Sequence, residues 1–261
     1  MRSVPVLMYH HVNPHKGDMV TVTPTTFERQ MEYLSEAGYR TLTLDELLSY
    51  IKGDLVLQQK AVVVTFDDGW LDNYIYAFPV LKKYNIHASI FIVTNIIERA
   101  SRDGGKPPTV VPTHRESKLI MQKGEEHEVF LRWDIIKEMA ESELIDFFSH
   151  AKTHASCDFL SEPELSEELE ASKHVIEERL KKPCPFLCWP FGRYTSFAIE
   201  VARKVGYSAT YTTNHGIVTP GSDPFAIKRI GVKDDMGWFK SRMRIYSNLL
   251  LARIYLKLKR K

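Results

Sequence analysis

Nothing in this chain approaches the run of about 20 apolar residues that a spanning helix needs, so no membrane-crossing helix is expected. Cysteine is scarce: Cys157, Cys184 and Cys188 cannot all pair, and the last two are not spaced as CxxC. That excludes a disulfide framework and leaves reduced thiols in a cytosolic protein as the simplest expectation. Net charge is almost absent, at +2 over 261 residues, so gross charge names no partner. Internal repeats and low-complexity tracts are missing. The N-terminus, MRSVPVLMYHHV, has one arginine and an apolar run broken by Pro5 that ends at Tyr9-His10-His11. It is too short and too polar for a signal peptide, and a cytoplasmic location is expected, with contact to a membrane surface left open. Acidic residues are lacking after Asp235, where every charged side chain is basic.

What is present suits a soluble globular protein: 44% hydrophobic and 26% charged residues supply a sizeable core. Short apolar runs alternate with helical periods. Val4-Met8 reads as a strand. Thr25 and Glu28 have capping-box spacing before a helix with Phe27, Met31 and Leu34 on one face, stopped by Gly38. Asp45-Lys52 forms a short helical pattern closed by Gly53. The β-branched run Ala61-Phe66 is the pattern of a parallel strand buried on both faces. A helix over Asn73-Tyr84 and a strand over Ala88-Val93 follow. Residues 99–128 are polar and read as a structureless insert, more consistent with a functional loop or lid than a linker. The alternation resumes with a helix over Trp133-Ser142 and a strand over Ile145-Phe148. A helix over Glu164-Leu180 follows, capped by Ser161, with Leu165, Leu169, Ile176 and Leu180 on its core face. A strand at Phe186-Trp189, a helix at Ser196-Val205 and a strand at Ala209-Thr212 complete the run. Repeated β-then-α over the whole length predicts one α/β domain, a barrel or a doubly wound sheet, with the strand count favouring a barrel.

In such folds reactive groups gather beyond the carboxyl ends of the strands. Four polar clusters fall there: His10-His11, Asp67-Asp68-Gly69, His150 with His154, and Pro190-Phe191-Gly192. Adjacent carboxylates at the mouth of a buried strand repel unless a cation or proton intervenes; the bland alternative is a turn with Asp as a cap. His150-x-x-x-His154 presents two imidazoles on one side of a helical turn, a common metal-ligand spacing, though such a pair alone is often just surface histidines. With a carboxylate from another strand end it gives three ligands and an open position, the arrangement of a catalytic zinc site. The other histidines lack such context. His174 reads as solvated and His15 as a loop residue. His114 and His127 fall in the insert, where nothing in the sequence supports the option of a substrate contact. His215 is left without a role.

These residues, in this order, resemble the polysaccharide deacetylase family (the NodB-homology, or carbohydrate esterase 4, domain). Thr65-Phe66-Asp67-Asp68-Gly69 matches its first motif in full. His150 to His154 matches the second, His-[Ser/Thr]-x-x-His, except for Ala151 in place of the hydroxyl residue. Trp189-Pro190-Phe191-Gly192 resembles the third, although the expected arginine falls at Cys188. The opening Val6-Leu7-Met8-Tyr9-His10-His11 is similar to the permuted poly-N-acetylglucosamine deacetylases, in which an N-terminal Tyr-His supplies the catalytic histidine. The resemblance spans residues 1–235 and implies a distorted (β/α)7 barrel. It implies Asp67 as general base, Asp68, His150 and His154 as ligands of one divalent metal, and His10 as general acid with His11 as rival. Trp189, Pro190 and Phe191 would line the substrate and oxyanion position. Zinc is the default metal; cobalt, nickel and iron fit similar ligands. The implied reaction removes acetyl from an N-acetylated amino sugar, whether glycan, lipopolysaccharide-type or lipid-linked. With the arginine missing, another group positions the base or the base is tuned differently.

Two rival functions stay open: a glycosidase using Asp67, which leaves the histidine pair unexplained, and a non-catalytic carbohydrate-binding barrel. Residues 236–261 form a separate basic amphipathic segment, with Lys240, Arg242, Arg244, Arg253, Lys257, Lys259, Arg260 and Lys261 among Trp238, Phe239, Ile245, Tyr246, Leu249-Leu251, Ile254 and Leu256. Residues 237–261 are expected to dock on an anionic membrane; the alternative is a closing barrel helix with a solvated basic end. No nucleic-acid-binding module accompanies the charge, and no nucleic acid is expected.

Overall fold

The computed structural model describes residues 2–16, 18–102, 108 and 111–258. Its strands are β1 (Val6–Tyr9), β2 (His11–Val12), β3 (Thr21–Val22), β4 (Arg40–Thr41), β5 (Ala61–Phe66), β6 (Ala88–Ile92), β7 (Ile145–Ser149), β8 (Phe186–Cys188), β9 (Ala209–His215) and β10 (Ile227–Gly231). Its helices are α1 (Pro24–Glu36), α2 (Leu44–Lys52), α3 (Phe78–Tyr84), α4 (Thr94–Ala100), α5 (His114–Gln122), α6 (Trp133–Glu141), α7 (Glu162–Leu180), α8 (Ser196–Val205), α9 (Met236–Tyr246) and α10 (Leu249–Leu258).

Seven strands close a parallel barrel in the order β1, β10, β9, β8, β7, β6, β5 and back to β1, with β4 alongside β5. This is the expected (β/α)7 barrel. All six residues of β5 are buried, as a β-branched strand between barrel interior and helices must be. Register then places the chemistry. Tyr9 pairs with Phe66, so His10 and Asp67 leave the barrel side by side, and the Asp67 N–H still donates to the Tyr9 carbonyl at 3.0 Å. Ile92 pairs with Ser149, and the His150 N–H donates to the Ile92 carbonyl at 2.9 Å.

Several local expectations are corrected. Helix α1 starts at Pro24, one residue ahead of the supposed cap; its N-cap Thr23 gives both its N–H (3.0 Å) and its hydroxyl (2.7 Å) to Asp234 Oδ1. The Asn73–Tyr84 segment opens as a π-helix over Asn73–Ala77, with the Phe78 N–H reaching the Asn73 carbonyl. Pro79 has no N–H and crowds the carbonyl four residues back, which accounts for the widened turn. The insert carries structure: α5 begins in a capping box of Thr113 and Glu116, and a single 3-10 turn covers Glu126–Glu128. Residues 103–107, 109 and 110 of it lie outside the described residues, as do Lys259, Arg260 and Lys261 of the basic tail. Strand β8 stops at Cys188, and β9 runs on to His215. The final barrel strand, β10, has no counterpart among the expected elements. Its Ile-Lys-Arg-Ile pattern breaks alternation because Arg229 is buried beside Ile230. The three cysteines are free and buried, and burial pushes the Cys157 and Cys184 thiols up to about 12.

Candidate active site

All four polar clusters converge on one cavity of about 530 Å³ at the carboxyl ends of the strands. Its lining includes His10, Asp67, Asp68, His150, His154, Trp189 and Phe191. Beyond β5 the backbone turns through two successive left-handed residues, Asp68 (φ 74°) and Gly69 (φ 82°). A side chain at Gly69 would press on Ile92 Cγ2 at 3.0 Å, so glycine is needed for space as well as conformation.

Asp68 Oδ1 lies 3.4 Å from both His150 Nε2 and His154 Nε2. The other Asp68 oxygen accepts the Trp70 indole N–H at 2.9 Å. His150 donates Nδ1–H to the Cys188 carbonyl at 2.8 Å, which turns Nε2, the nitrogen a metal would take, toward Asp68. Burial, then the charge of His150, holds His154 down to about 4, keeping it neutral. Donor atoms of Asp68, His150 and His154 all fall within 4.8 Å of one another. One carboxylate and two neutral-capable imidazoles, one with its tautomer fixed from behind, fit a divalent metal with positions left open.

The histidine pair is not helical. Left-handed backbone at Ala151 (φ 62°) and His154 (φ 67°) coils the loop so that the rings meet at 4.8 Å. The Ala151 N–H donates to Ser149 Oγ at 3.1 Å, which ties the start of this loop to the end of β7. Glu168 of α7, buried, holds the rest: its carboxylate accepts the Lys152 N–H (3.1 Å), the Thr153 N–H (2.8 Å) and the Thr153 hydroxyl (2.7 Å).

The positioning arginine absent at Cys188 arrives from β10. Arg229, fully buried, pairs both oxygens of Asp67 at 2.7 Å and donates to Cys188 Sγ at 3.0 Å. Burial would raise the Asp67 carboxyl, but Arg229, with His10 and His150, holds it below the usual range, so it is ionised at neutral pH. His10 Nε2 lies 3.8 Å from Asp67 Oδ2 and borders the cavity, with its carbonyl held by Asn73 Nδ2 at 2.8 Å. His11 is elsewhere: its ring is buried against Asp72 and does not border the cavity. Adjacent residues on an extended strand face opposite ways, which separates the two.

After β8, a turn of 3-10 helix (Pro190–Gly192) puts Phe191 in left-handed backbone, with its ring edge-on to His154 at 4.4 Å. The chain packs so closely there that a side chain at Gly192 would lie 2.0 Å from Thr213 Oγ1. Glu168 and Arg229 were the functional residues missed. Their only sequence signals are a carboxylate on the core stripe of α7 and an inward arginine in β10.

Comparison with known proteins identifies the family. Residues 55–210 match the family described as polysaccharide deacetylase. The chain is 30% identical over 233 residues to the Bacillus subtilis protein YxkH, assigned to the polysaccharide deacetylases, covering 89% of this chain and 72% of that one. It is 29% identical over 225 residues to the poly-β-1,6-N-acetyl-D-glucosamine N-deacetylase of Staphylococcus epidermidis, covering 82% and 69%. The fold superposes on IcaB from Ammonifex degensii with a TM-score of 0.74, at 25% identity over 94% of this chain and 97% of that one. The chain belongs to the polysaccharide deacetylase family and is a carbohydrate N-deacetylase.

Proposed function

We propose that this protein removes acetyl groups from a polymer of N-acetylglucosamine, using zinc held by Asp68, His150 and His154. The observation that carries the reading is the convergence of those three ligands with Asp67 and His10 on one cavity. Bound there, a divalent ion supplies Lewis acidity to the acetyl carbonyl and lowers the pKa of water. Asp67, ionised and oriented by Arg229, takes the proton of the attacking water. His10 gives a proton to the departing amine nitrogen, and the backbone N–H at Phe191 donates to the tetrahedral oxyanion, with Trp189 in the wall beside it; Pro190 is buried in the turn and does not border the cavity. Acetate and a free amino sugar leave. The polymer is inferred from the named activity of the S. epidermidis relative.

Acetate release from N-acetylglucosamine oligomers tests this, with two variants separating the roles. Asp67→Asn is expected to lose turnover by about 10²–10⁴-fold while keeping stoichiometric zinc. Asp68→Asn is expected to lose the zinc itself. A glycosidase would survive chelation, and a binding-only barrel would be indifferent to Asp67→Asn; either result sinks the proposal.

For the membrane, we propose that contact resides in α10. Leu250, Leu251, Ile254 and Leu258 are exposed on it, with Arg253 and Lys257 interspersed, a composition suited to an anionic bilayer surface. Flotation with anionic vesicles is expected for the full chain and not for a chain ending at Asn248; equal binding to neutral vesicles would refute it.

A further inference from the structure

Catalysis as proposed uses His10 and leaves its neighbour unexplained. Both ring nitrogens of His11 are engaged: Nδ1 lies 2.6 Å from Asp72 Oδ2, and Nε2 lies 2.8 Å from His114 Nδ1. The His11 ring also packs on Trp70 at 4.3 Å between centroids, the same Trp70 that donates to Asp68. A hydrogen-bonded chain therefore runs from a buried carboxylate, behind the metal-ligand wall, to a histidine that borders the active-site cavity. Its last member is the first residue of α5, where the Thr113–Glu116 capping box fixes the helix start. Asn13 secures the approach, giving Nδ2–H to the Pro112 carbonyl at 2.8 Å.

The carboxylate end fixes the first donor. A carboxylate only accepts, so His11 Nδ1 carries a proton toward Asp72. Burial would lower His11, but the charge and hydrogen bond of Asp72 outweigh it and raise the ring above its ordinary value. Burial, and then the charge of His11, lowers His114. One proton bridges His11 Nε2 and His114 Nδ1, so the Nδ1 of His114 is engaged by His11. With Nδ1 taken, Nε2 is the nitrogen left for a molecule in the cavity. Histidines serving structure alone would end their hydrogen-bond chain inside the protein; this one ends at the cavity.

We propose that His114 is a substrate-binding residue, hydrogen-bonding through Nε2 to a hydroxyl group of the acetamido sugar, with Asp72 and His11 as positioning residues that fix its ring. The insert between β6 and β7 thereby contributes to substrate recognition through α5.

This rests on the deacetylase reading, and the experiment keeps the two apart. Acetate release from N-acetylglucosamine oligomers by the unaltered, zinc-loaded enzyme tests that reading alone. Given that activity, His114→Ala is expected to raise KM about tenfold with kcat changed by less than about threefold, and with zinc content and thermal midpoint as in the unaltered enzyme. His114→Gln, whose amide NH₂ reaches the Nε2 position, is expected to recover most of the loss. Asp72→Asn is expected to raise KM when His114 is present and to add nothing in the His114→Ala background. An unchanged KM in His114→Ala, a loss confined to kcat or accompanied by zinc loss, no recovery in His114→Gln, or additive effects of the two substitutions would each overturn the proposal.

Discussion

Arg229 spends its donors completely on the barrel interior. Nε goes to the Thr212 carbonyl, Nη1 to Thr65 Oγ1 and Asp67, and Nη2 to Asp67 and Cys188 Sγ. Such a fork fixes both the position and the ionisation of the base. Lysine offers one point charge and cannot hold both oxygens. Arg229→Lys is therefore expected to lower kcat about 10²-fold through a misplaced base, with zinc retained. Arg229→Met, which leaves the Asp67 charge buried and unpaired, is expected to cost about 3–5 kcal/mol in urea unfolding. A Lys variant with unaltered kcat would show that the base needs charge and not geometry. At this scale the sequence was legible where chemistry sat in contiguous residues. Asp67 and Asp68 announced themselves as adjacent carboxylates after a β-branched strand. Arg229 did not, because its partner is 162 residues away and the pairing depends on which strands become neighbours when the barrel closes.

Elements were legible in proportion to their regularity. Helix α8 and strand β5 fall where periodicity put them, and the Ser161–Glu164 box opens α7. The histidine loop was not, because spacing alone suggested a helical turn. The actual device is a coil with left-handed residues, braced by a neighbouring helix. Glu168 sits among Leu165, Leu169 and Ile176 on the buried face of α7, an apolar stripe that a carboxylate enters only when its oxygens are satisfied. Here they take two N–H groups and a hydroxyl from Lys152 and Thr153, immediately between the two ligand histidines. Because the brace sets the ligand loop and touches no ligand, Glu168→Ala is expected to weaken zinc affinity about 10–100-fold, measured by competition with a chelator. Glu168→Gln keeps one oxygen for the two N–H groups and should fall between. Zinc affinity unchanged in Glu168→Ala would mean the loop holds its shape alone.

The whole molecule explains why residues from opposite ends of the chain meet. Strand β1 lies between β5 and β10, so the first and last barrel strands bring His10 and Arg229 to the same carboxylate. Closure also governs the chain beyond Asp235. Asp235 caps α9 by accepting the Trp238 N–H at 2.8 Å, and α9 buries Phe239, Met243 and Tyr246 in the same core as the barrel. The Ser3 hydroxyl donates to the Tyr246 carbonyl at 2.7 Å, tying this helix to the chain leading into β1. Helix α10 folds back on α9, with the Arg242 guanidinium 4.6 Å over the Tyr255 ring, and buries only Ala252. Hydrophobic periodicity ran through both helices and could not separate them; the break comes at Ser247-Asn248, between Tyr246 and Leu249. Two truncations should therefore behave oppositely. Ending the chain at Asn248 removes exposed leucines and a basic face, and is expected to shift the thermal midpoint by no more than a few degrees with acetate release in solution intact. Ending it at Asp235 strips three fully buried large side chains worth about 2–5 kcal/mol each, which together reach the whole stability of an ordinary domain. That shorter chain is expected to lack a cooperative thermal transition and to bind no zinc. If it folded and deacetylated, the barrel would have to close without α9, and the core contacts of Phe239, Met243 and Tyr246 would count for little.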